Sequence, residues 1–139
     1  MLKKKTNELL TDLKSSDLGR YLQENKEELI SEGIGAYLDR LIEARGLKKT
    51  QVLKAAEINE IYGYQIFAGS RKPSRDKLIA LCVGIGLSLE EIDQALKFAG
   101  ELPLYPRSER DSILIAGILK GDRVMELNNA LYDYGLKTL

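Results

Sequence analysis

The chain has no histidine and no tryptophan, one cysteine (Cys82) and three prolines, at positions 73, 103 and 106. Without histidine and with one thiol, it lacks the ligand sets of zinc and haem sites and the Cys–His pairs of covalent catalysis. No metal and no cofactor is therefore expected. Cys82 lies in the apolar run Leu78–Val83 and reads as a small buried hydrophobe. No apolar stretch approaches the roughly 20 residues of a membrane span. The opening Met-Leu-Lys-Lys-Lys-Thr-Asn-Glu is charged and has no apolar signal-peptide core. The expected location is cytoplasmic, with no membrane partner.

Other enzymatic signals are also missing. The carboxylate pairs Glu27-Glu28, Glu90-Glu91 and Glu109/Asp111 fall on polar helix faces or in first helical turns, where capping and dipole effects explain them. Nothing sets two of them across one cleft, as glycoside hydrolysis requires. Gly84-Ile-Gly86 lacks the strand and third glycine of a dinucleotide loop and reads as a turn. The chain is expected not to be an enzyme.

What is present suits a helical protein. The 139 residues are 44% hydrophobic, enough for a core. No segment alternates with strand period, while helix signals recur, so the expected class is all-α. Formal net charge is zero, but its distribution is uneven. Residues 1–45 carry 8 basic and 9 acidic groups, residues 46–77 carry 7 and 3, and residues 78–139 carry 6 and 9. The segments are thus net −1, +4 and −3. A phosphate-facing surface needs such a central excess, and the acidic remainder limits non-specific binding.

Along the chain, residues 1–33 read as a helical extension. Leu2, Leu9, Leu10 and Leu13 suggest one helix, and Asp17 to Ile30 a second. Ser31 is expected to cap the next helix. Ile34, Tyr37, Leu38, Leu41 and Ile42 form one apolar face, and Gly46 ends it. Further helices are predicted from about Lys48 to Ala56 and, capped by Asn59, from Glu60 to Ala68. Pro73-Ser74 starts another, to about Val83. Ser88-Leu-Glu-Glu91 is a capping box opening a helix that closes at Gly100. After the stiff Leu102–Pro106 connector, Ser108 caps a helix to about Leu119. Asp122 is expected to cap the last, ending at Gly135.

An echo recurs at an offset of 35 residues: Asp76, Gly86, Glu91-Ile92, Ala95-Leu96 and Gly100 align with Asp111, Gly121, Glu126-Leu127, Ala130-Leu131 and Gly135. Two explanations stand level: a duplicated helical hairpin, or glycine punctuation that makes unrelated hairpins look alike. Two copies are too few for a solenoid.

Residues 46–86 place two short helices about a tight turn, followed by Gly-Ser-Arg-Lys-Pro-Ser (69–74) leading into a third helix. This resembles the helix-turn-helix of the Cro/C1 (phage repressor, XRE-type) family over roughly residues 34–92. The resemblance implies a lambda-repressor-like domain at 34–100. The 1–33 extension precedes it, and a helical hairpin at 107–139 packs on it. In the family's pattern, an Ala on the first motif helix faces an aliphatic residue on the second. Here Leu53 and Gly63 hold those places, so volume is exchanged across the crossing and Leu53 should touch Gly63. Val52, Ile58 and Asn59 hold the flanking places. Glu57 stands where the turn has Gly, so a left-handed backbone costs it energy and the turn is expected to be loose.

The resemblance implies double-stranded DNA as partner and a role in transcription regulation. Ile66, Tyr62 and Phe67 are expected to point inward with Ile58. The base-reading places fall on Glu60, Ile61, Tyr64 and Gln65. Gln suits adenine, Glu a cytosine amine and Ile a thymine methyl. The phosphate-gripping places fall on Lys48, Lys49, Arg71, Lys72 and Arg75. The second motif helix holds no Arg or Lys, so the commonest guanine contact is absent from it. That absence, with acidic Glu60, also fits a protein-interaction adaptor that keeps the fold without reading DNA. A homodimer is expected for DNA binding, and the extension or hairpin offers surface for it or for another protein. Tyr105, Tyr132 and Tyr134 read first as packing the hairpin onto the domain, and second as interface residues.

Overall fold

Capping side chains set the helix boundaries. In the computed structural model, residues 33–139 are described throughout. Of the first 32 residues, only Glu8, Leu10, Thr11, Leu18, Gly19 and Arg20 are described, all helical and exposed. The expected stripe of Leu2, Leu9 and Leu13 and most of the 17–30 helix lie outside the described residues. Ser31 is not the cap expected of it: the helix that begins at Ile34 has Gly33 at its N-cap, with no side-chain cap bond. The chain divides into two compact units, Met1–Glu32 and Gly33–Leu139.

The second unit contains α1 (Ile34–Ala44), α2 (Lys49–Ala55), α3 (Glu60–Ala68), α4 (Arg75–Ile85), α5 (Leu89–Phe98), α6 (Glu109–Lys120) and α7 (Val124–Asp133). Among the described residues every regular element is a helix. No described helix is long and apolar enough to cross a membrane. Ser74 and Ser108 accept from the Lys77 and Asp111 N–H groups at the starts of α4 and α6. Ser88 and Glu91 close a reciprocal capping box on α5. Each such cap stabilises its helix by about 1 kcal/mol. The last helix departs from expectation. Its N-cap is Arg123, whose N–H donates to Glu126 at 3.0 Å, while the Asp122 carboxylate lies 3.6 Å from Lys120 Nζ.

One apolar core receives side chains from all seven helices. Leu38, Ile42, Leu53, Ile66, Leu78, Ile79, Leu81, Ile92, Leu96, Leu114, Leu127 and Leu131 are fully buried. The hairpin at 107–139 thus belongs to the same compact unit as the helices before it. Two glycines let helices approach closely. A Cβ at Gly35 would lie 2.1 Å from the Ile66 carbonyl oxygen, and one at Gly84 would lie 2.8 Å from that of Val52. Cys82 is fully buried, and burial, with the charge of Glu91, pushes its thiol up to about 12.

The 35-residue echo is a structural duplication. Arg75 donates to both Asp111 oxygens (3.1 and 2.9 Å), and Arg110 donates to both Asp76 oxygens (2.8 and 3.0 Å). Arg75 also donates to the Leu102 and Pro103 carbonyls, and Arg110 to those of Lys137 and Thr138. The Leu104 N–H donates to Asp93, and the Leu139 N–H to Asn128. Every one of these partners shifts by 35 between the copies. Glycine punctuation alone does not produce matching long-range bonds. The ion pairs are reciprocal, first copy to second and second to first, which is the signature of a two-fold relation rather than a translation. The hairpins α4–α5 and α6–α7 therefore close on each other, and no third copy is needed.

Candidate nucleic-acid interface

The face of interest is built by α2, the turn after it and α3. The turn closes with two bonds. Glu57 N–H donates to the Lys54 carbonyl at 3.1 Å, and Ile58 N–H to that of Leu53 at 3.0 Å. This is a Schellman motif, with Glu57 at φ 58° in the position usually held by glycine. The expected looseness is absent, because both bonds form and the residue bears the strain. Asn59 then caps α3, accepting from the Ile61 and Tyr62 N–H groups at 2.9 and 3.3 Å.

Leu53 touches Gly63 as expected. A Cβ at Gly63 would lie 2.2 Å from Leu53 Cδ2, so the leucine occupies the space that any side chain there would need. Ile58, Ile66 and Phe67 are buried, and Tyr62 is half-buried. Among the described residues of the Gly33–Leu139 unit, α3 is thereby anchored on one side. Glu60, Ile61, Tyr64, Gln65 and Ala68 line its outer side, all exposed. Ile61 is 73% exposed, high for so large an apolar side chain.

Aromatic rings of α3 hold two cations. Lys49 Nζ lies 5.7 Å from the centroid of Phe67 and 3.1 Å from the Asp39 carboxylate. The Arg71 guanidinium lies 5.2 Å from the centroid of Tyr62. Such contacts are worth about 0.5–1 kcal/mol at exposed sites and restrict where the charge sits. The loop carrying Arg71 is tied back to α3, since the Ser70 and Arg71 N–H groups both donate to the Gln65 carbonyl, at 3.0 and 3.2 Å. Lys48, the N-cap of α2, and Lys72 are exposed.

Arg75 requires correction. Its guanidinium is paired with Asp111 and donates to two carbonyls as well, and only 24% of its side chain is exposed. Its charge is neutralised and its donors are nearly all engaged, so it leaves the phosphate-gripping set and becomes part of the hairpin joint. Asp111, read from the sequence as a first-turn residue, is buried at 6% exposure. Burial pushes its pKa up. The hydrogen bonds from Arg75 and the Tyr105 N–H, with the charges of Arg75 and Arg110, outweigh that and hold it below the ordinary 3.8. The Arg-Asp dipeptides at 75–76 and 110–111 were the available signal for this joint.

The tyrosines expected to pack the hairpin do not. Tyr105, Tyr132 and Tyr134 are 56%, 77% and 67% exposed. The stacked pair is instead Tyr37 with Phe98, with centroids 4.4 Å apart, joining α1 to α5. Two surface clefts of about 620 and about 390 Å³ lie mainly on the duplicated hairpins, not against the outer face of α3. Among the described residues no cluster of Cys, Asp and Glu has the makings of a metal site. Comparison with known proteins adds no relative: no family model, no curated protein and no solved structure matches the chain.

Proposed function

We propose that the α1–α5 region is a lambda-repressor-like helix-turn-helix domain of Cro/C1 type, and that the protein binds double-stranded DNA sequence-specifically to regulate transcription. The observation that carries this reading is the free outer side of α3, polar and apolar readers together, with cations held against rings on the same helix. Cations position a duplex through its phosphates, while side chains on the inserted helix read base edges. Lys48, Lys49, Arg71 and Lys72 serve the first role; Glu60, Ile61, Tyr64 and Gln65 serve the second. A symmetric dimer supplies the second half-site.

The test is a duplex-binding titration with two variants. Arg71→Ala should weaken binding to all sequences alike. Gln65→Ala should change the preference among sequences and leave the salt dependence unchanged. A second reading, a protein-binding adaptor, is favoured by one observation: no Lys or Arg lies on the outer side of α3, while Glu60 and the largely bare Ile61 do. Failure to bind any duplex at low salt would favour the adaptor.

A further inference from the structure

We infer that the duplex read by α3 is rich in A·T pairs, and that Ile61 recognises the thymine 5-methyl group within it. This inference rests on the DNA-binding reading above. Five side chains face outward from α3: Glu60, Ile61, Tyr64, Gln65 and Ala68. None is a cation, so the helix lacks the bidentate Arg or Lys contact to guanine O6 and N7, the commonest specific reader of G·C. The nearby positive groups lie off the helix: Lys48, Lys49, Arg71 and Lys72 flank it and are assigned to phosphates above. Lys49 is held over Phe67 beside Asp39, Arg71 lies over the Tyr62 ring, and Arg75 is locked in the hairpin joint.

The remaining chemistry points the other way. Gln65 matches the donor–acceptor edge of adenine. Ile61 and Ala68 have only apolar surface to offer, and in the major groove the apolar feature is the thymine methyl. Ile61 is 73% exposed at the first turn of α3, the end that enters the groove in this docking mode. Neighbouring groups pin the helix terminus: the Ile61 N–H is bonded to Asn59, and Leu53 fills the space over Gly63. Glu60 accepts from a cytosine amine and so admits one C·G pair beside the A·T run.

The experiment starts from selection of bound duplexes by the full chain from a random pool at low salt. Thymine in the selected site is then replaced by deoxyuridine, which removes the methyl group and keeps every hydrogen-bonding edge. The expected pool is A·T-rich, and the replacement should weaken wild-type binding by about fourfold, the worth of one buried methyl group. Ile61→Ala should bind the thymine site about as weakly as wild type binds the deoxyuridine site, and should no longer distinguish the two. A G·C-rich or unbiased pool, or a wild type indifferent to the methyl group, overturns the inference while duplex binding itself stands. Absence of duplex binding at low salt overturns the DNA reading and the inference together.

Discussion

Leu53 and Gly63 show how one residue's volume is set by another's. The leucine fills space that a normal helix residue at 63 would claim, at a cost for glycine in a helix of roughly 1 kcal/mol. Gly63→Ala should therefore destabilise the protein by about 1–3 kcal/mol through overpacking. Leu53→Ala alone should cost about 2–5 kcal/mol. The double variant should cost clearly less than the sum, because each change relieves the other. Denaturant unfolding of the four proteins tests this, and simple additivity would refute the contact's importance. Glu57, at φ 58°, is the converse case. Glu57→Gly should stabilise the protein by about 0.5–1 kcal/mol by removing left-handed strain. A lower denaturation midpoint would show that the glutamate does something there that its backbone geometry does not reveal. Leu53, Gly63 and Glu57 are all legible in the sequence, because each departs from the pattern that the segment otherwise follows.

At the scale of elements, the crossed Arg75–Asp111 and Arg110–Asp76 pairs join the two hairpins. Removing one partner of a largely buried pair leaves the other charge unmatched. Asp111→Ala should accordingly cost about 2–4 kcal/mol near neutral pH. Because the folded-state pKa of Asp111 is depressed, its contribution is complete above the ordinary carboxylate range and is lost as pH falls below about 4. Wild type should lose its advantage over Asp111→Ala across that acidic window, as followed by urea unfolding at a series of pH values. An advantage that persisted unchanged at pH 2 would contradict the sign. This joint is where sequence reading ran out. Caps and glycine stops are local, so Asn59, Ser74, Ser88 and Ser108 announced their helices correctly. A pair 36 residues apart is marked only by the repeated Arg-Asp dipeptide, which does not say that the two copies meet, so Arg75 reads as a phosphate contact and Asp111 as a first-turn cap. The N-cap of α7 was misplaced by one residue because Asp122 is the better capping type, while Glu126 closes the turn onto Arg123. The exposed tyrosines were misread because aromatic composition does not disclose which way a helix faces.

For the molecule as a whole, the duplicated hairpins form a two-fold-related pair, and α1 to α3 pack with the first copy through Gly84 and the Tyr37–Phe98 stack. Within the Gly33–Leu139 unit this arrangement leaves one side of α3 open. The proposal that this side meets a polyanion is tested most directly by titrating the protein against duplex DNA over a range of salt concentrations. With Arg75 engaged elsewhere, four cations remain, Lys48, Lys49, Arg71 and Lys72. The plot of log binding constant against log salt should fall with a slope of about −3 to −4 for each bound head, and Arg71→Ala should reduce its steepness by about 1. A flat plot, or no binding at the lowest salt, would contradict the proposal.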